Sequence, residues 1–309
     1  MAVVTIAVVS ESFGRDLAAC FRKVAGHIEA ARAQGVQLLA LPEAALGGYL
    51  EALGSGSAAT DGSAVAGAPA PLLVAHGPEI ARLVELAGDM IVCIGYSELA
   101  GARRYNSAVC VGDGKVLGRH RKVHLPLAEG ASYDAGSDFR AFDTPIGRLG
   151  MLICYDKAFP ESARSLAIGG AQIVVCLSAW PTARTERAAV VAADRWRYRF
   201  DVYDEVRALE NQVVWVSANQ IGQFGELTFV GNSKIVHPDG TVLAATGEAP
   251  RMAVARVDVD DALSVSRRSL NHLRDRRPAA YDAQCLLAGE PILRQPPRFA
   301  APARPGCAC

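Results

Sequence analysis

The sequence holds no Gly-x-Ser-x-Gly elbow, no His-Glu-x-x-His pair, no Gly-x-x-x-x-Gly-Lys-Ser/Thr loop and no Gly-x-Gly-x-x-Gly turn behind a strand. Serine-hydrolase, zinc-protease, nucleotide-hydrolase and dinucleotide readings therefore lack an anchor. Its six histidines are scattered without metal-ligand spacing, which leaves zinc with little support. Lys plus Arg and Asp plus Glu both number 32, so the basic excess usual for nucleic-acid or anionic-membrane partners is missing. No stretch approaches the ~18 apolar residues of a membrane-spanning helix. The apolar run from Ala2 to Val9 has no preceding Lys or Arg and no small-residue cleavage site, so it reads as a buried strand rather than a signal peptide. A cytoplasmic chain is expected, with reduced thiols. None of the eight cysteines forms a Cys-x-x-Cys pair. Cys93, Cys110 and Cys176 lie inside apolar runs and read as small core hydrophobes, whereas Cys307 and Cys309 fall in a terminal stretch that reads as a disordered tail.

What is present is apolar substance. Half of the 309 residues are hydrophobic, enough for a large core. Strand-like runs (Val3–Val9, Val36–Leu41, Met90–Tyr96, Asn106–Val111, Lys115–Gly118, Ile146–Cys154, Ile173–Leu177, Val213–Ser217) are interleaved with helical periodicity over Arg15–Gln34, Glu79–Ala87 and Pro160–Gly169. A long charged helix is expected over Thr185–Asn211, then a hairpin of Phe229–His237 and Thr241–Ala245 around Pro238-Asp239-Gly240, and a last strand Met252–Val257. Short buried strands mixed with helices predict a layered α/β fold with a mixed sheet or two packed sheets. Beyond about Asp260, Arg and Pro accumulate up to Arg304, which reads as an exposed tail or subunit-docking arm.

Three polar residues close apolar runs, where reactive groups tend to be displayed. They are Glu43 after Leu38–Pro42, Lys122 after Val116–Arg121, and Cys154 after Leu149–Ile153. Each alone has a plain structural reading: a buried thiol, a helix-start acid, a surface cation. Together they have complementary chemistry. A thiol nucleophile needs a proton acceptor and a donor for the oxyanion of its tetrahedral intermediate; a carboxylate and a lysine supply both.

With these residues the chain resembles the nitrilase superfamily of carbon–nitrogen hydrolases. The matching motifs are Leu41-Pro-Glu43, Arg121-Lys122-Val-His-Leu-Pro126, and Ile153-Cys-Tyr-Asp156 followed by Phe159-Pro-Glu161. Glu210-Asn-Gln, Ala218-Asn219 and Gly231-Asn-Ser233 agree as well. The resemblance implies a four-layer α-β-β-α sandwich over residues 1–262, an arm over 263–309, and a Glu43–Lys122–Cys154 triad. It also implies a second glutamate between lysine and cysteine, where Glu129 is the only candidate. The resemblance implies a reaction that needs no metal and no organic cofactor, and the implied partners are a small-molecule amide and further copies of the chain, as a homodimer or larger assembly.

Tyr155-Asp156 stands where nitrilases of this family usually show Trp-Glu, so the amidase-type branches are favoured over nitrile or N-carbamoyl hydrolysis. An acyltransferase or a non-catalytic scaffold is the remaining alternative. Proximity to the motifs nominates Tyr49, Tyr155, Phe159, Trp180 and Asp156 as substrate-binding residues, although each aromatic has a core reading too and Asp156 has one as a turn residue.

Overall fold

Alternation of apolar side chains sets the layers. In strand β1 (Val4–Glu11), Val4, Ile6 and Val8 point to one face while Ala7 and Val9 point to the other, and both sets are buried. A strand buried on both faces must lie inside a multilayered molecule. The computed structural model, which describes residues 3–54 and 69–281, is built that way. Helix α1 (Leu17–Ala33) follows, its start fixed by Asp16, whose carboxylate accepts the Ala19 N–H at 3.0 Å. Then come β2 (Leu38–Ala40), β3 (Leu73–Val74), α2 (Pro78–Ala87), β4 (Ile91–Ala100), β5 (Arg103–Gly112) and β6 (Lys115–Arg121). The second half comprises β7 (Ala141–Thr144), β8 (Gly147–Ile153), α3 (Pro160–Ile168), β9 (Ile173–Ser178), α4 (Arg195–Asn211) and β10 (Val214–Phe224). It ends with β11 (Leu227–Val230), β12 (Lys234–Val236), β13 (Val242–Ala245), β14 (Arg251–Val257) and α5 (Val259–Arg267).

The strands run β6-β5-β4-β2-β1 and β10-β9-β8-β7, and among the described residues the two ladders pair where Ser10 and Glu11 meet Asn219 and Gln220. Folded at that seam, the halves pack face to face. Ile6, Leu38 and Cys93 of one half share a core with Met151, Val175 and Val216 of the other. The outer face of the first half (Leu39, Val92, Val109) is covered by α1 and α2 through Phe21, Val24, Ile28 and Leu83. The outer face of the second (Leu152, Val174, Trp215) is covered by α3 and α4 through Ala163, Leu166 and Ala208. The fold is thus the α-β-β-α sandwich. Strands β1, β2 and β4 are mutually parallel, as are β8, β9 and β10, and the seam makes the two sets co-directional. Their C-terminal ends therefore gather at one end of the molecule.

Local differences have local causes. The charged helix begins at Arg195, ten residues later than its composition suggests. Asp194 caps it, accepting the Trp196 N–H at 2.8 Å and the Ala183 N–H at 3.0 Å, so the preceding segment is held as a loop. Phe229–His237 is two strands rather than one, because Gly231 and Asn232 adopt left-handed φ of +62° and +55°. Helix α5 crosses the expected border at residue 262, and the first compact unit extends to Leu273. Cys93, Cys110 and Cys176 are core residues; Cys307 and Cys309 and most of the basic C-terminal segment lie outside the described residues.

Candidate active site

Glu43 is carried beyond β2 by a backbone seam with β4: Leu41 N donates to Cys93 O at 2.9 Å and Gly95 N to Pro42 O at 3.1 Å. The approach is close enough to require glycine at 95. A Cβ there would lie 2.6 Å from Glu43 Cα and 2.8 Å from its carbonyl carbon. Gln220 Nε2 donates to Glu43 O at 2.9 Å and ties the same backbone to the other sheet. Lys122 follows β6, with its N–H on Asn106 O at 2.8 Å. Cys154 ends β8 with φ of +49°, a left-handed conformation rare for a residue with a Cβ. Such a sharp turn lifts the thiol out of the sheet toward the strand ends.

Asp156 holds that turn. Its carboxylate accepts Ile153 N at 3.1 Å, His124 N at 2.9 Å and Val123 N at 3.2 Å, and it contacts His120 Nε2 and His124 Nδ1, each at 2.9 Å. Burial alone would push this carboxyl up, but the bonds from His120 and His124 prevail and hold it well below the usual range. Asp156 is fully buried and does not line the cavity, which corrects its assignment as a substrate-binding residue. All of its acceptor capacity is spent on joining the cysteine turn to the segment after Lys122.

Glu43, Lys122 and Glu129 are all completely buried. Lys122 Nζ donates to Glu43 Oε1 at 2.8 Å and to Glu129 Oε2 at 2.7 Å. Asn106 Nδ2 bridges the same two carboxylates, at 2.6 and 2.7 Å, and Ala179 N donates to Glu43 Oε2 at 2.6 Å. Burial disfavours the ammonium, yet Glu129 and Glu43 outweigh it and hold Lys122 well above the ordinary lysine value. Burial raises the Glu129 carboxyl, and the Glu43 charge adds to the rise. The Cys154 thiol is pushed far up, first by burial and then by Glu43, against the pull of Lys122. The resting thiol therefore keeps its proton. It becomes a nucleophile only if a base removes that proton during attack.

A cavity of about 360 Å³ opens onto Cys154, which is 4% exposed. Tyr155 and Phe159, with ring centroids 5.1 Å apart, form one wall, and Tyr49 and Trp180 line it as well. A further wall comes from α4, through Trp196, Arg199 and Tyr203. The Trp180 indole is braced by its Nε1 on Trp196 O at 2.9 Å and by Phe200 and Tyr203 rings 6.0 Å away. The structure thus gathers Glu43, Lys122, Glu129 and Cys154 at one place and sets Tyr49, Tyr155, Phe159 and Trp180 around the opening. Sequence reasoning missed Asn106, an unremarkable polar residue in a strand. It also missed the α4 wall, although Trp196, Arg199 and Tyr203 recur at helical spacing and were legible as one face.

Comparison with known proteins bears on the family and the fold. The carbon–nitrogen hydrolase family model matches residues 2–267. A probable nitrilase from Schizosaccharomyces pombe is 34% identical over 216 residues, 68% of this chain and 75% of that protein. An (R)-stereoselective amidase from a Pseudomonas species is 31% identical over 245 residues, 78% of this chain and 79% of that protein. The crystal structure of a carbon–nitrogen hydrolase from Helicobacter pylori superimposes with a TM-score of 0.75 at 22% identity, covering 92% of this chain and 98% of the other, which bears on the fold alone. A family match over nearly nine-tenths of the residues, on a sandwich whose strand ends converge on a buried thiol, makes this chain a member of the carbon–nitrogen hydrolase family, a hydrolase of non-peptide carbon–nitrogen bonds.

Proposed function

We propose that the protein is a cofactor-free thiol amidohydrolase that cleaves a small carboxamide through a thioester on Cys154. The observation that carries this reading is the left-handed Cys154 lining the cavity, its thiol beside a buried Glu43–Lys122–Glu129 cluster. Glu43 takes the Sγ proton as sulfur attacks the carbonyl carbon. The oxyanion is received by Lys122 Nζ and by the backbone N–H following Cys154. The carbon–nitrogen bond then breaks as Glu43 returns the proton to nitrogen, and ammonia leaves. A water molecule gives a proton to Glu43 and adds to the thioester; the carbon–sulfur bond breaks, the thiol regains its proton, and the carboxylic acid departs. Glu129 orients Lys122 and, with Asn106, fixes the base. Tyr49, Tyr155, Phe159 and Trp180 enclose the acyl group.

The amide, rather than a nitrile or an N-carbamoyl compound, is supported by Tyr155-Asp156 after the nucleophile. The test is ammonia release from a panel of all three classes, with Cys154→Ala as the blank. Release from amides that falls about 10⁴-fold or more in the variant is the expected result. Cys154-dependent release mainly from nitriles or carbamoyl compounds keeps the triad and moves the substrate class. No Cys154-dependent release from any class leaves acyl transfer or a non-catalytic scaffold.

A further inference from the structure

The cavity is lined almost throughout by aromatic and aliphatic side chains, and among the described residues Arg199 is the one charged side chain that lines it. Trp196, Arg199 and Tyr203 lie three and seven residues apart on α4, so one helix face presents the guanidinium between two aromatic rings. That face is fixed rather than adaptable. Arg207 Nε donates to Lys157 O at 2.8 Å, and the Lys157 ammonium sits 3.3 Å from the Phe200 ring centroid, so α4 is clamped to the segment that follows Cys154. The arginines flanking Arg199 on the helix are committed elsewhere: Arg195 to Glu186 at 2.7 Å and Arg197 to Asp201 at 2.9 Å. Arg199 has no hydrogen bond or ion pair to any described residue, and no acidic side chain lines the cavity beside it.

A guanidinium offered to an aromatic cavity with no carboxylate of its own has the chemistry to receive one from a ligand, through two parallel N–H donors. We propose that Arg199 determines specificity: the preferred substrate is a small primary amide whose acyl chain ends in a carboxylate, bound with its amide carbon at Cys154 and its anionic end at Arg199. This rests on the amidohydrolase reading. It adds that of two acyl groups of equal size the charged one is selected. A cavity of about 360 Å³ is at the small end of ligand sites, which fits a short acyl chain carrying one terminal charge.

The test compares the monoamide of glutaric acid with the uncharged amide in which an isopropyl group replaces the free carboxylate. The wild-type protein is expected to favour the anionic amide in kcat/KM. Arg199→Gln should lose about 10- to 100-fold on it, at the lower end because the side chain is exposed, and under about threefold on the neutral amide. Arg199→Lys should recover part of the loss. A wild-type preference for the neutral amide, or an equal loss on both, overturns the proposal while leaving the thiol chemistry intact. Binding separates the two readings: calorimetric titration of Cys154→Ala and of Cys154→Ala/Arg199→Gln with both amides needs no turnover. Tighter binding of the anionic amide that vanishes with Arg199 supports the proposal even without catalysis, and equal affinities reject it.

Discussion

Lys122 and Lys157 are both fully buried, each with its ammonium 2.8 Å from a carboxylate oxygen. Their surroundings differ in charge balance. Asp204 receives Lys157 at 2.8 Å, Lys234 at 3.1 Å and the Trp215 indole at 2.8 Å, while Lys234 also reaches Asp201 at 2.7 Å. Two ammonium groups thus meet two carboxylates, and Arg197, shared between Asp201 at 2.9 Å and Glu248 at 3.5 Å, extends the network to three cations and three carboxylates. Burial pushes the Asp204 carboxyl up, but Lys157 and Lys234 outweigh it and hold it below its ordinary value, so this network stays ionic. At Lys122 one ammonium serves two carboxylates, and the surplus acid shows as the raised Glu129 carboxyl. The matched network locks α4 and β12 to the chain after Cys154. The unmatched one leaves a carboxylate in excess beside the thiol, which is what the proposed proton transfer from Cys154 requires. Matching of charge, more than burial, separates a clamp from a reaction centre.

The sharpest way to break this comparison is Lys122→Met. Loss of one oxyanion donor alone costs about 10²–10³ in rate. Here it also removes the cation between Glu43 and Glu129, so ammonia release should fall at least that far. A drop under tenfold would remove Lys122 from the chemistry and collapse the distinction. Lys157→Met should invert the pattern. Removing one partner of a buried pair costs roughly 3–5 kcal/mol, less where Lys234 still neutralises Asp204, and this is read as a lowered unfolding midpoint. Turnover measured well below that midpoint should stay within a few-fold, since the Lys157 ammonium does not line the cavity and faces one of its walls, the Trp180 ring, at 5.2 Å. An activity loss as large as that of Lys122→Met would make the clamp part of the catalytic machinery.

How much of this was legible in sequence follows from the same contrast. Glu43, Lys122 and Cys154 each close an apolar run, and a polar residue at a strand end is visible one dimension at a time. Their convergence is a consequence of the seam at Ser10–Asn219, which no local pattern encodes. Nothing local in the sequence sets Lys157, Asp204 and Lys234 apart, because burial of an ion depends on partners 30 to 47 residues away. Asn106 was hidden for a similar reason: in a strand its alternation shows which face it takes, not which carboxylates wait there. The start of α4 is hidden because no Pro or Gly interrupts 185–194, and only the bonds of Asp194 to Ala183 and Trp196 set the helix start. Asp156, next to the nucleophile, is drawn toward the cavity by adjacency, whereas the turn at Cys154 leaves Tyr155 on the cavity and sends Asp156 inward to His120 and His124.

Asp156 gives the smallest expected effect and sharpens the comparison from the side of the clamp. Asp156→Asn keeps the shape and one acceptor but replaces the anion that His120 and His124 face, at a cost of roughly 1–3 kcal/mol near neutral pH. The folded carboxyl lies below its unfolded value, so its stabilisation is complete above the unfolded carboxyl pKa of about 3.9 and is lost as pH falls through the folded one. The difference in unfolding free energy between wild type and variant should therefore be widest above about pH 5 and narrow steadily below about pH 4. Glu129 works in the opposite sense: its carboxyl is raised, so whatever stability its protonated form contributes lies at low pH and is lost as pH rises through the folded value. A pH-independent gap for Asp156→Asn would mean that the carboxylate fills space rather than carries charge. The anchoring of the Cys154 turn would then rest on backbone geometry alone, and Asp156 would no longer belong with Asp204 among the ions held by matched partners.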